Sequence, residues 1–282
     1  MSGDIDCLEE AVFTQGAPTV YQRPTSIHHW QLRDLISAAD NEQEYYCVHD
    51  TCIYSYNADT KQSALVTNLG WSANSMTCGA GFIAAGGLHG ELEVRQLSSN
   101  EVCFRGSVGS TVNNALHIAK HSNGVVRLFV CCNDSTIRVF SLPSMASVTV
   151  LRCPCPINYA ALSPDGQHLV AVGDCNPTLV YQATPAGYAS ATSFSEASDV
   201  GMCCTWNHHG TSFASCAQVG QRADAGAGRR GAGGGARGCC RAVAGCERHR
   251  LQPLGPAAVG GAGAMLRGLQ HRQPQAADVW GG

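Results

Sequence analysis

The sequence predicts an all-β protein of repeated four-stranded units, preceded by a short helix and followed by a disordered tail. Three observations predict it: a set of short strand-like runs, a regular spacing between them, and an abrupt change of composition near residue 218. The runs are CIYSY (52–56), ELEVRQL (91–97), TIRVFSL (136–142) and TLVYQA (178–183). Each alternates or is β-branched, the pattern of a half-buried strand. Their matching residues Ile53, Leu92, Ile137 and Leu179 lie 39, 45 and 42 residues apart.

Taken in order along the chain, residues 1–23 are expected to be disordered and 24–44 to form a lead-in. There Leu32, Leu35, Ile36 and Ala39 follow i, i+3, i+4, i+7 spacing, so QLRDLISAA (31–39) predicts a short amphipathic helix. Thr25 or Ser26 is placed to cap it. From 45 onward each matched strand is preceded by an apolar run and a tight turn: FIAAGG-LHG-ELEV, LFVCC-ND-STIRVF and LVAVG-DCNP-TLVY. Asn, Asp and Gly fill these turns because they tolerate positive φ. Upstream lies a further hairpin. Ser163-Pro164-Asp165-Gly166 joins two strands, and Asn207-His208-His209-Gly210 repeats the position 44 residues later. Proline at the second turn position presets φ, and glycine absorbs the reversed end. Each unit is therefore four short strands in about 40–45 residues, the period of a stacked β repeat.

The segments HWQLRDLI (29–36), IAAGGLHGELEV (83–94), CNDSTIRVF (132–140), SPDGQHLVAVGD (163–174) and TWNHHGTSFASC (205–216) resemble WD40 β-propeller proteins. More narrowly they are similar to a group of WD40-like, transducin-like proteins of plants, algae and fungi. The resemblance covers roughly residues 24–218, without a Trp-Asp dipeptide; Phe140-Ser141 and Tyr181-Gln182 stand in its place. It implies an incomplete WD40-type propeller over 45–218: about four blades and the inner half of a fifth, against seven in the related rings. Such a partial ring leaves sheet edges open, and the expressed chain is expected to be insoluble or partly unfolded.

After Ala217-Gln218 the periodicity predicts another strand near residue 221. The chain instead reads VGQRADAGAGRRGAGGGARGCC, with period neither 2 nor 3.6. Residues 1–218 hold 9 Lys+Arg against 18 Asp+Glu, a balance of −9, whereas 219–282 hold 9 Arg against 3 acids, +6, and 16 of the 32 glycines. The segment 219–282 is expected to be a disordered low-complexity tail, read out of frame or from an intron in a GC-rich gene. The alternative is an arginine-glycine tail that binds RNA through phosphate contacts; it lacks repeated Arg-Gly-Gly units, and Trp280 is its only aromatic.

Signals for chemistry are sparse. With 16 Cys and 11 His there is no C-x-x-C; the closely spaced cysteines are adjacent (131/132, 203/204, 239/240) or C-P-C (153–155). Adjacent strand residues point to opposite faces and cannot easily share a metal. His117 and His121 fall on one face of a predicted strand, two pleats apart. There is no G-x-S-x-G elbow and no phosphate loop; Gly79, Gly81, Gly86, Gly87 and Gly90 read as hairpin glycines. Glu91 and Glu93 share one face, expected to be solvated. No catalytic, cofactor or metal residue is assigned, and no small-molecule substrate is evident.

No apolar run approaches the ~20 residues of a membrane span. MSGDIDCLEE lacks an apolar signal region, so the protein is expected to be cytoplasmic or nuclear, not secreted, with reduced cysteines. The functional expectation is a non-catalytic scaffold for protein–protein interaction with a protein partner the sequence does not name; the acidic balance of 1–218 favours a basic partner over nucleic acid. The alternative is a non-functional fragment of a seven-bladed protein.

Overall fold

The computed structural model describes residues 25–27, 34–121, 123–195 and 199–218, together with the backbone of Cys246–Arg250. All lie within the unit Thr25–Gly255. The first sheet holds β1 (Ile36–Ala38), β2 (Glu44–His49), β3 (Cys52–Asn57) and β4 (Ser63–Asn68). The second holds β5 (Ala73–Gly79), β6 (Phe82–Gly87), β7 (Glu91–Gln96) and β8 (Val102–Ser107). The third holds β9 (Asn113–Lys120), β10 (Val126–Cys132), β11 (Thr136–Leu142) and β12 (Ala146–Arg152). The fourth holds β13 (Ile157–Leu162), β14 (His168–Gly173), β15 (Cys175–Thr184) and β16 (Gly187–Phe194). The fifth holds β17 (Gly201–Trp206), β18 (Ser212–Ala217) and β19 (Cys246–Arg250). Strands pair antiparallel with their chain neighbours in every sheet.

Each sheet packs face to face on the next in chain order, and the strand period of two divides its side chains between the two neighbours. In β10, Leu128, Val130 and Cys132 enter the core shared with the second sheet. Phe129 and Cys131 enter the core shared with the fourth. Both faces are covered, so these strands read as unbroken apolar runs rather than alternating ones. Leu35, Val48 and Ile53 join Met76, Ile83 and Ala85 between the first and second sheets. Val170, Val172 and Val180 meet Cys204 and Phe213 between the fourth and fifth. Trp206 adds a directional tie there, its indole N–H donating to the Ala161 carbonyl at 2.9 Å.

Two expectations need correction. Residues 34–38 are extended, not helical; no helix occurs among the described residues, and 31–33 lie outside them. The i, i+3, i+4 spacing is overridden by pairing: the Val48 N–H donates to the Leu35 carbonyl and the Met76 N–H to the Asp34 carbonyl, each within hydrogen-bond range at 3.0 and 2.7 Å. A helix would forfeit both bonds and withdraw Leu35, 1% exposed, from its core. The Thr25 hydroxyl donates to the Val48 carbonyl at 2.7 Å, and Ser26 clasps Asp50.

The second correction concerns the fifth sheet. It is not left at two strands, because Cys246–Arg250 pairs along β18 from Ser212↔Arg250 to Cys216↔Cys246. An unpaired edge offers a row of N–H and C=O groups, and CERHR is a tail run without Gly, Ala or Pro. The rest of the expected tail, and residues 1–23, lie outside the described residues.

Candidate interaction surface

At one end of the sheets, the turns between second and third strands meet the connections that run from each sheet to the next. Backbone bonds join them in a repeated pattern. The Leu69 N–H donates to the Thr51 carbonyl, Val108 to Gly90 and Cys153 to Ser135, at 2.7–2.8 Å. A second set runs from Asn133 to Val112, Asp174 to Pro156 and Gln218 to Val200, at 2.8–3.0 Å. Loops held this way form a rigid surface rather than independent flaps.

Beneath this surface runs a ladder of buried asparagines. Asn74, Asn114 and Asn158 each occupy a bulge in the first strand of a sheet. The extra residue of a bulge is left out of the pairing, so its carboxamide reaches sideways. Asn74 donates to the Asn113 carbonyl, Asn114 to Ile157 and Asn158 to Gly201, each at 3.0 Å. Every acceptor is the first residue of the next sheet's first strand. The ladder thus sets the spacing between successive sheets. Sequence reasoning missed it, although the Asn positions repeat at 40 and 44 residues.

Asp34 stands at the same position in the first sheet. Leu35 faces Val48 as Ser75 faces Gly86, and Asp34 forms a parallel bridge with Ser75. Burial pushes its carboxyl up to about 7. Its charge is one of the influences, after burial, that raise Tyr159 on the fourth sheet.

Above the ladder, close backbone approach needs glycine at two places. Gly90 has φ +84°, and a Cβ there would collide with the Gly109 carbonyl. Gly109 has φ +82° and lies under the Arg138 guanidinium. Arg138 donates to Asp134 at 2.6 Å and to Thr136 at 2.8 Å. Partial burial pushes the Asp134 carboxyl up, but the hydrogen bonds from Arg138 and Thr136 outweigh it and hold it below the ordinary range. The turn aspartates therefore brace the loops. Asp174 likewise accepts the Asn158 carboxamide at 2.9 Å. The half-buried Trp71 indole lies against Gly87 on the second sheet's turn.

Glu93 is not solvated as the sequence suggested; it is 2% exposed. One oxygen accepts the Thr67 hydroxyl at 2.9 Å and pairs with Arg95 at 3.1 Å, and the other pairs with Arg105 at 2.6 Å. The sheet face that carries it looks onto the first sheet, not into water. Glu91, on the same face, is half-buried and accepts the His89 N–H at 2.7 Å.

Ser26, His49 and Asp50 come together, but the Ser26 hydroxyl gives its one proton to Asp50 at 2.9 Å and accepts the Asp50 N–H. His49 Nδ1 lies 3.3 Å from the same oxygen, as donor or acceptor according to its tautomer. The trio clasps residue 26 to the turn after β2. His117, on β9, is half-buried and lies obliquely on Phe129, ring centroids 6.0 Å apart; burial pulls it down to about 4. The Nε2 atoms of His117 and His121 are buried without a hydrogen-bond partner. Cys131 and Cys132 point to different sheets. Among the described residues no group of three or more His, Cys, Asp or Glu is placed to hold a metal. One pair of cysteines, Cys155 and Cys175, is joined as a disulfide.

Antiparallel four-stranded sheets stacked face to face in chain order, their first strands linked sheet to sheet, define a WD40-like β-propeller fold. No family model matches the chain. The chain is 25% identical over 209 residues to uncharacterized protein C4G3.03 of Schizosaccharomyces pombe, a match covering 71% of this chain. The chain spans 60% of the length of that curated relative. It also superposes on a chain in the crystal structure of the mitotic checkpoint complex with a TM-score of 0.59 and 13% identity, over 78% of this chain and 68% of that one. That likeness is one of fold.

Proposed function

We propose that the protein is a non-catalytic scaffold whose hydrogen-bonded loop surface holds a basic segment of a protein partner. The observation that carries this is the repeated backbone bonding between turns and inter-sheet connections, which preorganises the surface and lowers the ordering cost of binding. The structural neighbour belongs to a multiprotein complex, which supports a role in assembly. Asp50, Asp134 and Asp174 are exposed at this end from three different sheets. Arg138 offsets Asp134, leaving Asp50 and Asp174 as the outward charges, with the Trp71 ring as an aromatic anchor of the kind that dominates interfaces. The test is affinity purification from the source cells with the wild-type chain and an Asp50→Lys, Asp174→Lys double variant. Charge reversal is expected to reduce capture of a shared partner at least about tenfold, roughly 1.4 kcal/mol, in protein that circular dichroism shows still folded at the assay temperature, although loss of the bonds from Ser26 and Asn158 lowers its Tm. Equal capture by both proteins would overturn the reading.

A second reading, that the sheets are part of a larger ring, is favoured by the 60% coverage of the yeast relative. Sequencing the transcript across the codons for 217–222 tests it. A shifted frame that encodes further four-stranded units supports it, and an abundant message encoding the given tail counts against it.

A further inference from the structure

The junction between the third and fourth sheets gathers four sulfurs. Cys131, Cys153, Cys155 and Cys175 all belong to, or pack against, one apolar core. Only Cys155 and Cys175 are bonded, with Cα atoms 6.0 Å apart, within the span a disulfide bridges. Cys155 sits in the connection from β12 to β13, 7% exposed, and Cys175 opens β15 and is partly exposed. The two segments are aligned without the covalent bond. The Asp174 N–H donates to the Pro156 carbonyl at 2.9 Å, and Asp174 holds Asn158. Gly173 permits this approach, because a Cβ there would collide with the Pro156 carbonyl oxygen.

We propose that Cys155 and Cys175 are a reversible redox site, oxidised by low-molecular-weight disulfides of the glutathione type, that staples the 153–156 connection to the turn before β15. The partly exposed Cys175 thiolate attacks the small disulfide, forming a mixed disulfide and releasing one small thiol. The Cys155 thiolate then attacks the Cys175 sulfur and releases the second. Two thiol protons and two electrons pass from the pair to the small disulfide, which leaves as two thiols. Reduction by excess small thiol runs the same steps backward, and the backbone bonds keep the two sulfurs in register for reoxidation.

The neighbouring thiols are kept out of this exchange. Cys153 stands two residues from Cys155 and accepts the Tyr181 hydroxyl at 3.3 Å. Burial pushes its thiol up, more than that hydrogen bond lowers it, so it stays protonated and a poor nucleophile. Cys131 is 1% exposed and pushed up strongly by burial.

The site fixes the fourth sheet's part of the loop surface. That this surface receives a partner rests on the scaffold reading, but the measurements below need no partner. The full 282-residue chain is equilibrated in oxidised and reduced glutathione, trapped with iodoacetamide and mapped by peptide mass, and its melting and amide exchange are followed in parallel. In oxidised buffer Cys155 and Cys175 should resist alkylation and appear as one disulfide-linked peptide pair; in excess reduced glutathione Cys175 should become alkylated. Reduction should lower the Tm by roughly 5–10 °C and speed amide exchange at 155–158. Cys175→Ser should match the reduced wild type and lose the redox response, and Cys153→Ser should keep it. Alkylation of Cys175 as fast in oxidised as in reduced buffer overturns the proposal. So does a Tm that ignores the redox buffer in the wild type, or a response that survives in Cys175→Ser.

Discussion

Asp34→Asn is expected to stabilise the protein, and to do so only where the carboxyl would otherwise be charged. Asp34 is the acidic member of a row whose other positions carry Asn74, Asn114 and Asn158, and burial pushes it from 3.8 up to about 7. The folded state then keeps a proton that the unfolded chain loses between about pH 4 and 7. Stability from this group therefore falls as pH rises through that window and stays low above it. A shift of that size corresponds to about 4 kcal/mol at full burial. The side chain retains some contact with water, so screening reduces the expected effect to about 2 kcal/mol. Urea denaturation of wild type and variant at pH 4 and pH 8 measures it. The variant should gain about 2 kcal/mol at pH 8, about 30-fold in the folding constant, and little at pH 4. An equal difference at both values would show that the gain comes from a new hydrogen bond and that Asp34 does not titrate where burial places it.

His117 acts in the opposite direction. Its folded-state value of about 4 lies below 6.5, so its contribution is present above pH 6.5 and lost as pH falls towards 4. His117→Phe should flatten the acid limb of a pH-stability profile, and an unchanged limb would exclude His117 as its source. Glu93→Ala should cost about 3–5 kcal/mol in urea midpoint analysis, because Arg95 loses its buried partner; a loss below about 1 kcal/mol would mean that the arginines turn outward without penalty. Asn114→Ala should cost about 1–3 kcal/mol, since the Ile157 carbonyl loses its donor. Hydrogen exchange should locate that loss at the seam between the third and fourth sheets rather than spread it evenly.

The four matched strands and their period were legible in the sequence because they rest on local physics. Tight turns demand Asn, Asp or Gly, and strands buried on both faces demand apolar runs such as LFVCC. Those requirements act within a dozen residues, so a single chain displays them. Three features were decided only when the sheets came together. Leu35 and Ile36 carry helical spacing, yet the hydrogen-bond partners of this segment, Val48 and Met76, lie in other strands. Glu93 alternates as an exposed residue would, yet its face is closed by the first sheet, and Arg95, Arg105 and Thr67 meet it there. The Asn74, Asn114 and Asn158 row has a repeat visible in the sequence, but its meaning depends on a carbonyl about 40 residues further along the chain. Local composition specifies which residues turn and which extend; what a buried polar group will face is specified only by the partner that packing brings to it.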